Sequence, residues 1–284
     1  MGGGSSIVKS RIGFMQGRLV PMIDGKIQCF PSKDWRVEFE RAAICAFSLM
    51  EWTLDQEILQ GNPLMTASGR LEINALQTRF GVQIPSLTGD CFMQAPFWKA
   101  TGNERQRLID DAADVADSCV ALGIKLIVLP LVDNGSIENE VQADNLRDGL
   151  EHVLASRPDL QIAFESDFAP EPLARFIAGF PQGRYGINYD IGNSAALGYS
   201  PAIELAAYGP RVTNVHVKDR PLGGTTVPLG TGDADLANAI GSLERGGYCG
   251  AYILQTARAS NGDDMGAACR YRDMTQAWIE RATR

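Results

Sequence analysis

Eight short apolar runs recur along this chain, each followed by a longer segment of helical period, and this alternation confines it to an α/β architecture. The runs fall at residues 11–15, 48–53, 82–87, 125–131, 161–165, 185–189, 212–217 and 251–255. Most read as near-continuous apolar stretches, as expected of strands covered on both faces. Eight of them, separated by helices, favour a closed parallel (β/α)8 TIM barrel over an open doubly wound sheet. The length of 284 residues suits one such barrel, typically about 250 residues. No break in composition marks a second domain. Residues 10–284 therefore read as a single (β/α)8 barrel domain behind a flexible, Gly/Ser-rich N-terminal lead-in of residues 1–9.

Local signals support the alternation. Thr101 and Glu104 have the spacing of a capping box, and Leu108, Ile109, Ala112, Val115, Ala116, Cys119 and Val120 trace one apolar helical stripe. Gly123 supplies a stop before the next apolar run. Residues 145–155 and 236–243 read as helices in the same way, and the first helix is expected near residues 35–47, after a loop containing Pro21, Gly25 and Pro31. A last helical stretch, residues 265–281, can cover either the barrel or a second copy of the chain, which leaves a homo-oligomer open.

Composition narrows the function classes. Hydrophobic residues make up 45% of the chain and charged residues 21%, a balance that supports a folded core. A formal net charge of −8 argues against a nucleic-acid partner, because phosphate contacts need clustered Lys and Arg. No run approaches the roughly 20 apolar residues of a membrane span, and the N-terminal residues lack the apolar run of a signal peptide. The six scattered cysteines read as free thiols in a reducing compartment, so the expected location is cytoplasmic and the partner a small molecule.

The last four predicted strands all end on polar residues: Glu165, Asp190, His216 and Gln255. In a barrel these positions converge at the C-terminal face, where catalytic groups of this fold sit. Two carboxylates, one imidazole and one amide oxygen suit one divalent ion, Mn²⁺ ahead of Mg²⁺ or Co²⁺. No cysteine falls at these ends, which disfavours a thiolate zinc site. His152, the other histidine, lies within a helical stretch and reads as a helix-surface residue.

Five passages carry a resemblance. They are Gly13-Phe14-Met15-Gln16-Gly17-Arg18-Leu19, Glu51-Trp52-Thr53, His216-Val217-Lys218-Asp219, Gly230-Thr231-Gly232-Asp233-Ala234-Asp235 and Gly247-Tyr248-Cys249-Gly250. In this order, over residues 10–260, the chain resembles the sugar phosphate isomerase/epimerase superfamily of xylose isomerase-like TIM barrels. The resemblance implies a metal on the residues matching Glu165, Asp190 and His216, with a second glutamate on the last strand. This chain has Gln255 there. An amide oxygen can still ligate an ion, but an amide cannot take a proton near neutral pH, so two-base epimerisation does not follow. DNA-repair endonucleases of the same barrel use a histidine-rich multi-metal site, which two histidines cannot build.

The expected activity is a divalent-metal-dependent isomerase or epimerase acting on a sugar, sugar phosphate or related keto-polyol through an ene-diolate. Glu165 is the expected base, with Gln255 beside it as the second catalytic position. A lyase that dehydrates a keto-sugar or keto-cyclitol in the same site is the alternative, and a sugar-binding barrel without catalysis is a third. Arg220 and Arg258 can hold a carboxylate or phosphate, or form ordinary salt bridges. Gln16 and Arg18 lie just past the first strand as further substrate contacts. Lys218 is a further substrate contact, and Lys218, Asp219 or a metal-bound water is the stand-in acid. Glu51 and Asp90 either meet substrate hydroxyls or cap the next helix. Trp52, Phe92, Phe97 and Trp98 serve as sugar-facing walls or, more commonly, as packing. Gly230 and Gly232 read as a tight loop entering a helix near Asp235, because no nucleotide fingerprint surrounds them.

Overall fold

In the computed structural model, which describes residues 10–283, all eight apolar runs become parallel strands. These are β1 (Ile12–Met15), β2 (Leu49–Thr53), β3 (Gln83–Thr88), β4 (Leu126–Leu131), β5 (Gln161–Ser166), β6 (Tyr185–Asp190), β7 (Val212–Val217) and β8 (Tyr252–Leu254). Among the described residues ten α-helices connect and follow them. They are α1 (Trp35–Ile44), α2 (Ala67–Phe80), α3 (Asp90–Gln94), α4 (Gly102–Leu122) and α5 (Glu140–Leu154), then α6 (Pro170–Ala178), α7 (Ile191–Ala196), α8 (Pro201–Tyr208), α9 (Leu236–Arg245) and α10 (Asp264–Ala282). Each strand pairs with its sequence neighbours, and β1 closes the sheet onto β8 through Gly13 opposite Ile253. The fold is a (β/α)8 barrel. Among the described residues no helix is long and apolar enough to cross a membrane.

The strand faces differ from the sequence expectation. β4, Leu126-Ile127-Val128-Leu129-Pro130-Leu131, and the short strands β1 and β8 stay apolar throughout. The others alternate. Outward residues such as Phe14, Met50, Trp52, Phe164, Ile187, Tyr189, Val215 and Leu254 join the apolar layer beneath the helices. Their neighbours Glu51, Glu165, Asn188, Asp190, Asn214 and His216 face the barrel axis, because successive strand side chains point to opposite faces. A small separate cluster, Leu126, Val128 and Ala163, fills the axis on the β4–β5 side. The main hydrophobic core is therefore the annulus between sheet and helices, and the interior is mostly polar.

Helix ends follow local chemistry with three corrections. Gly123 takes the left-handed conformation (φ 88°) and ends α4 as expected. Thr101 is the N-cap residue of that helix, but its side chain makes no capping bond, so the capping box does not form. The first helix stops at Ile44, short of residue 47, because Ala46 adopts φ 55° and turns Phe47 into the core. Conversely, α5 starts at Glu140 because Asn139 accepts from the Gln142 amide. The last helix, α10, packs on α9, β1 and β8 of its own barrel, burying Ala267, Ala268, Tyr271 and Thr275. All six cysteines are free thiols. The expected lead-in of residues 1–9 lies outside the described residues.

The loop leaving β1 is tied down by a buried carboxylate on α1. Glu38 accepts the Gly17 and Leu19 amides at 2.7–3.0 Å. Burial pushes its pKa up from 4.5 to about 7, against the pull of those amides and of Arg258 and Arg18. Between these values the folded chain holds a proton that the unfolded chain releases, so the contribution to stability falls as pH rises. Glu38→Gln keeps an acceptor and removes the charge. Urea unfolding across pH 4.5 to 8 should show the variant gaining on the wild type as pH increases; a pH-independent difference would contradict this account.

Candidate active site

Strands β5, β6 and β7 and the residue following β8 deliver Glu165, Asp190, His216 and Gln255 to one end of the barrel. Asp190 and His216 are register partners on adjacent strands, so their side chains leave the sheet side by side. One ligand atom each from Glu165, Asp190 and His216 falls within a cluster no wider than 4.8 Å, and all three residues are buried. Asp190 also caps α7, its Oδ1 accepting from the Asn193 amide at 2.8 Å, which leaves Oδ2 turned to the cluster.

The ring of His216 is clamped from both sides. Its Nε2 lies 2.7 Å from Oε1 of Glu51, a carboxylate with no exposed surface that also accepts from Ser86, Thr88 and Asn214. Its Nδ1 faces Glu165 Oε2 at 3.1 Å and Asn188 Nδ2 at 3.0 Å. Burial pulls the imidazole pKa down, but Glu51 and Glu165 prevail and push it up to about 10. Burial likewise works to raise Glu165, yet the hydrogen bond and charge of His216, with Lys218 behind them, hold it below the usual carboxylate range. Glu165 is thus ionised near neutrality. Asp190 is shifted upward, mainly by burial and partly by Glu165.

A cavity of about 590 Å³ opens above this cluster, a size suited to a small polar ligand. Glu165, Lys218, Arg220, Asp90 and Gln255 all line it. The Lys218 ammonium sits 2.6 Å from Asp190 Oδ2 and 2.8 Å from Gln255 Oε1. Gln255 then donates to Gln28, which donates to Asp90, forming a chain of amides along one wall. Burial pushes the Asp90 pKa up to about 7. On the other side Arg220 donates to Asn193 Oδ1 at 2.7 Å, and Asn193 Nδ2 donates to Glu165 Oε1 at 2.8 Å.

Other residues expected at the site lie elsewhere. Gln16 is fully buried and accepts the Thr53 amide, and Arg18 is spent on the Thr256 and Ile27 carbonyls and Gln28. Glu51 lies beneath His216 and does not line the cavity; Arg258 pairs with Asp264 and the Val20 carbonyl, away from it. Trp52, Phe92, Phe97 and Trp98 are buried in the core layer. The Gly230–Gly232 loop forms a ring of amides that Asp219 fills, its carboxylate accepting from Gly230, Thr231, Gly232 and Ala234. A Cβ on Gly232 would lie 2.3 Å from Asp219 Oδ1. His152 is exposed on α5. Asn188 and Asn214, two positions before Asp190 and His216, escaped the sequence reading, although strand alternation places them on the same inward face. Gln28 and Asn193 carried no comparable signal.

The donor set fits a divalent cation. Three carboxylates crowd one imidazole, Asp190 Oδ2 makes an ion pair with Lys218 but no well-angled hydrogen bond, and the Glu51–His216 contact orients the ring as metal-binding histidines commonly are. The amide oxygen of Gln255, the fourth donor expected, is engaged by Lys218. Removing Glu51 would strand Ser86, Thr88, Asn214 and His216. Glu51→Ala should therefore cost about 3–5 kcal/mol in urea denaturation. A loss below about 1 kcal/mol, the scale of an exposed pair, would mean the network is not holding the interior.

The fold has relatives among known proteins. The family model for the xylose isomerase-like TIM barrel matches residues 39–279. The L-ribulose-5-phosphate 3-epimerase UlaE of Escherichia coli O1:K1 / APEC is 23% identical over 258 residues, covering 87% of this chain and 91% of its own. The 3-keto-D-glucoside 4-epimerase YcjR of E. coli superposes with a TM-score of 0.65 at 18% identity, over 96% of this chain and 100% of its own. A xylose isomerase-like TIM barrel protein from Mycobacterium smegmatis, solved in complex with magnesium, gives a TM-score of 0.67 at 15% identity, over 96% and 99%.

Proposed function

The chain belongs to the xylose isomerase-like TIM barrel family, and from that premise we propose that it is a divalent-metal-dependent isomerase or epimerase of a sugar or related keto-polyol. The observation that carries the reading is Glu165: ionised, lining the cavity and set against the Asp190 and His216 donors. The names of UlaE and YcjR, both sugar epimerases, support the same reaction class.

Glu165, Asp190 and His216 would hold the ion, with Mn²⁺ ahead of Mg²⁺ or Co²⁺ for this oxygen-rich set. When bound, the ion supplies positive charge opposite the negative charge that develops on the substrate oxygens. Glu165 takes the proton from the carbon beside the substrate carbonyl, leaving an ene-diolate. Asn188 and Asn193 each hold one of its oxygens, which fixes the carboxylate for that transfer. Lys218 uses two protons on Asp190 and Gln255 and keeps a third for a substrate oxygen. Glu165 then returns the proton to the neighbouring carbon on the same face, while the hydroxyl proton passes to the former carbonyl oxygen by way of Lys218; together the two transfers interconvert aldose and ketose with one carboxylate base. Gln255 cannot serve as a second base on the opposite face. That favours isomerisation over two-base epimerisation and keeps dehydration of a keto-sugar as the second reading.

Mass spectrometry of native protein should find about one divalent ion per chain, lost in His216→Ala. With a ketose and aldose panel in heavy water, the substrate should gain deuterium at the reacting carbon with its carbon skeleton and oxygen count unchanged. Glu165→Gln should slow that exchange by about 10²–10⁴-fold. A product short of one water would instead identify the lyase, and exchange undiminished in Glu165→Gln would remove this residue from the role.

A further inference from the structure

The walls of the central cavity favour one substrate class over another. Four carboxylates line it, Asp90, Asp133, Glu165 and Asp167, against two cations, Lys218 and Arg220. Directly beneath, Asp190 and Glu51 add two carboxylates around the single imidazole of His216. Both cations are already committed. Arg220 spends Nε and Nη2 on the Gly224 carbonyl and Nη1 on Asn193. Lys218 bridges Asp190 and Gln255. The backbone amides that could cradle an anion are also spent: Gly223 and Gly224 bond to the Ala196 and Pro221 carbonyls, and the Gly230–Gly232 ring is filled by Asp219.

Resting on the sugar-isomerase reading above, we infer that this cavity takes an uncharged keto-sugar or polyol and discriminates against its phosphorylated or carboxylated counterparts. A neutral hydroxyl or carbonyl needs only one donor, such as the remaining Lys218 proton, or an acceptor such as Asp133 or Asp167. A phosphate dianion needs several donors and counter-charge, and it would enter a field of its own sign. This chain therefore departs from UlaE, whose name records a phosphorylated substrate.

Matched pairs provide the test: L-ribulose with L-ribulose 5-phosphate, and D-fructose with D-fructose 6-phosphate, titrated calorimetrically into Mn²⁺-loaded protein. The free sugar of at least one pair should bind about tenfold or more tighter than its phosphate, and the gap should shrink at high salt, where like-charge repulsion is screened. The double variant Asp133→Asn, Asp167→Asn should narrow the gap at low salt by improving the phosphate. A phosphate that binds as tightly as its free sugar, or a gap untouched by salt and by the double variant, overturns this inference while leaving the isomerase reading in place. Failure of both members of every pair to bind defeats the isomerase reading and this inference with it.

Discussion

A carboxylate sealed inside a barrel must find a donor for every oxygen lone pair it can, because leaving charge unpaired in a low-dielectric interior costs several kcal/mol. Glu51 meets that requirement by drawing in Ser86 and Thr88 from β3 and Asn214 and His216 from β7. These partners lie on opposite sides of the barrel. One side chain therefore crosses the axis and fixes how the two halves of the sheet face each other. The same contact sets the plane and hydrogen-bonding of the His216 ring, so the interior packing and the candidate site are one network.

Charge is distributed through that network with little slack. Glu51, Glu165 and Asp190 surround His216 and raise its affinity for positive charge, while Lys218 neutralises Asp190 from the cavity side. Asparagines complete the arrangement. Asn188 joins Glu165 to Asn214, and Asn193 joins Glu165 to Arg220. An amide can donate and accept at once, so these residues transmit orientation without adding charge to a region already crowded with carboxylates. Asp219 performs a similar service one layer out. By filling the glycine-rich loop with its own carboxylate it rigidifies the cavity wall and removes an anion site that the Gly-x-Gly sequence would otherwise suggest.

The strands were legible because outward positions of every strand must bury apolar side chains under a helix, and such runs stand out against the helical period between them. Four polar strand ends, Glu165, Asp190, His216 and Gln255, were legible for a related reason: a polar residue closing an apolar run has an evident place in a barrel. Asn188 and Asn214 were readable in principle from alternation with Asp190 and His216, once the interior is taken as polar. The strands were instead read as covered by apolar surface on both faces, which holds only for β4 and the short strands β1 and β8. Arg18 and Arg258 show the opposite difficulty. A charged residue near a strand end looks available until the carbonyls that absorb it are located.

By itself the sequence determined the number, order and spacing of the strands, the positions of Gly123 and similar helix stops, and which polar groups close the last four strands. These depend on local periodicity and on the geometry of one repeat. Only the tertiary structure decided that Glu51 supports His216 from below, that Lys218 occupies the space between Asp190 and Gln255, and that Gln28 reaches the wall from a distant loop. Each of those facts joins residues far apart in the chain. Their pairing is fixed by closure of the barrel and by the need to satisfy buried charge, and neither leaves a mark on any short stretch of sequence.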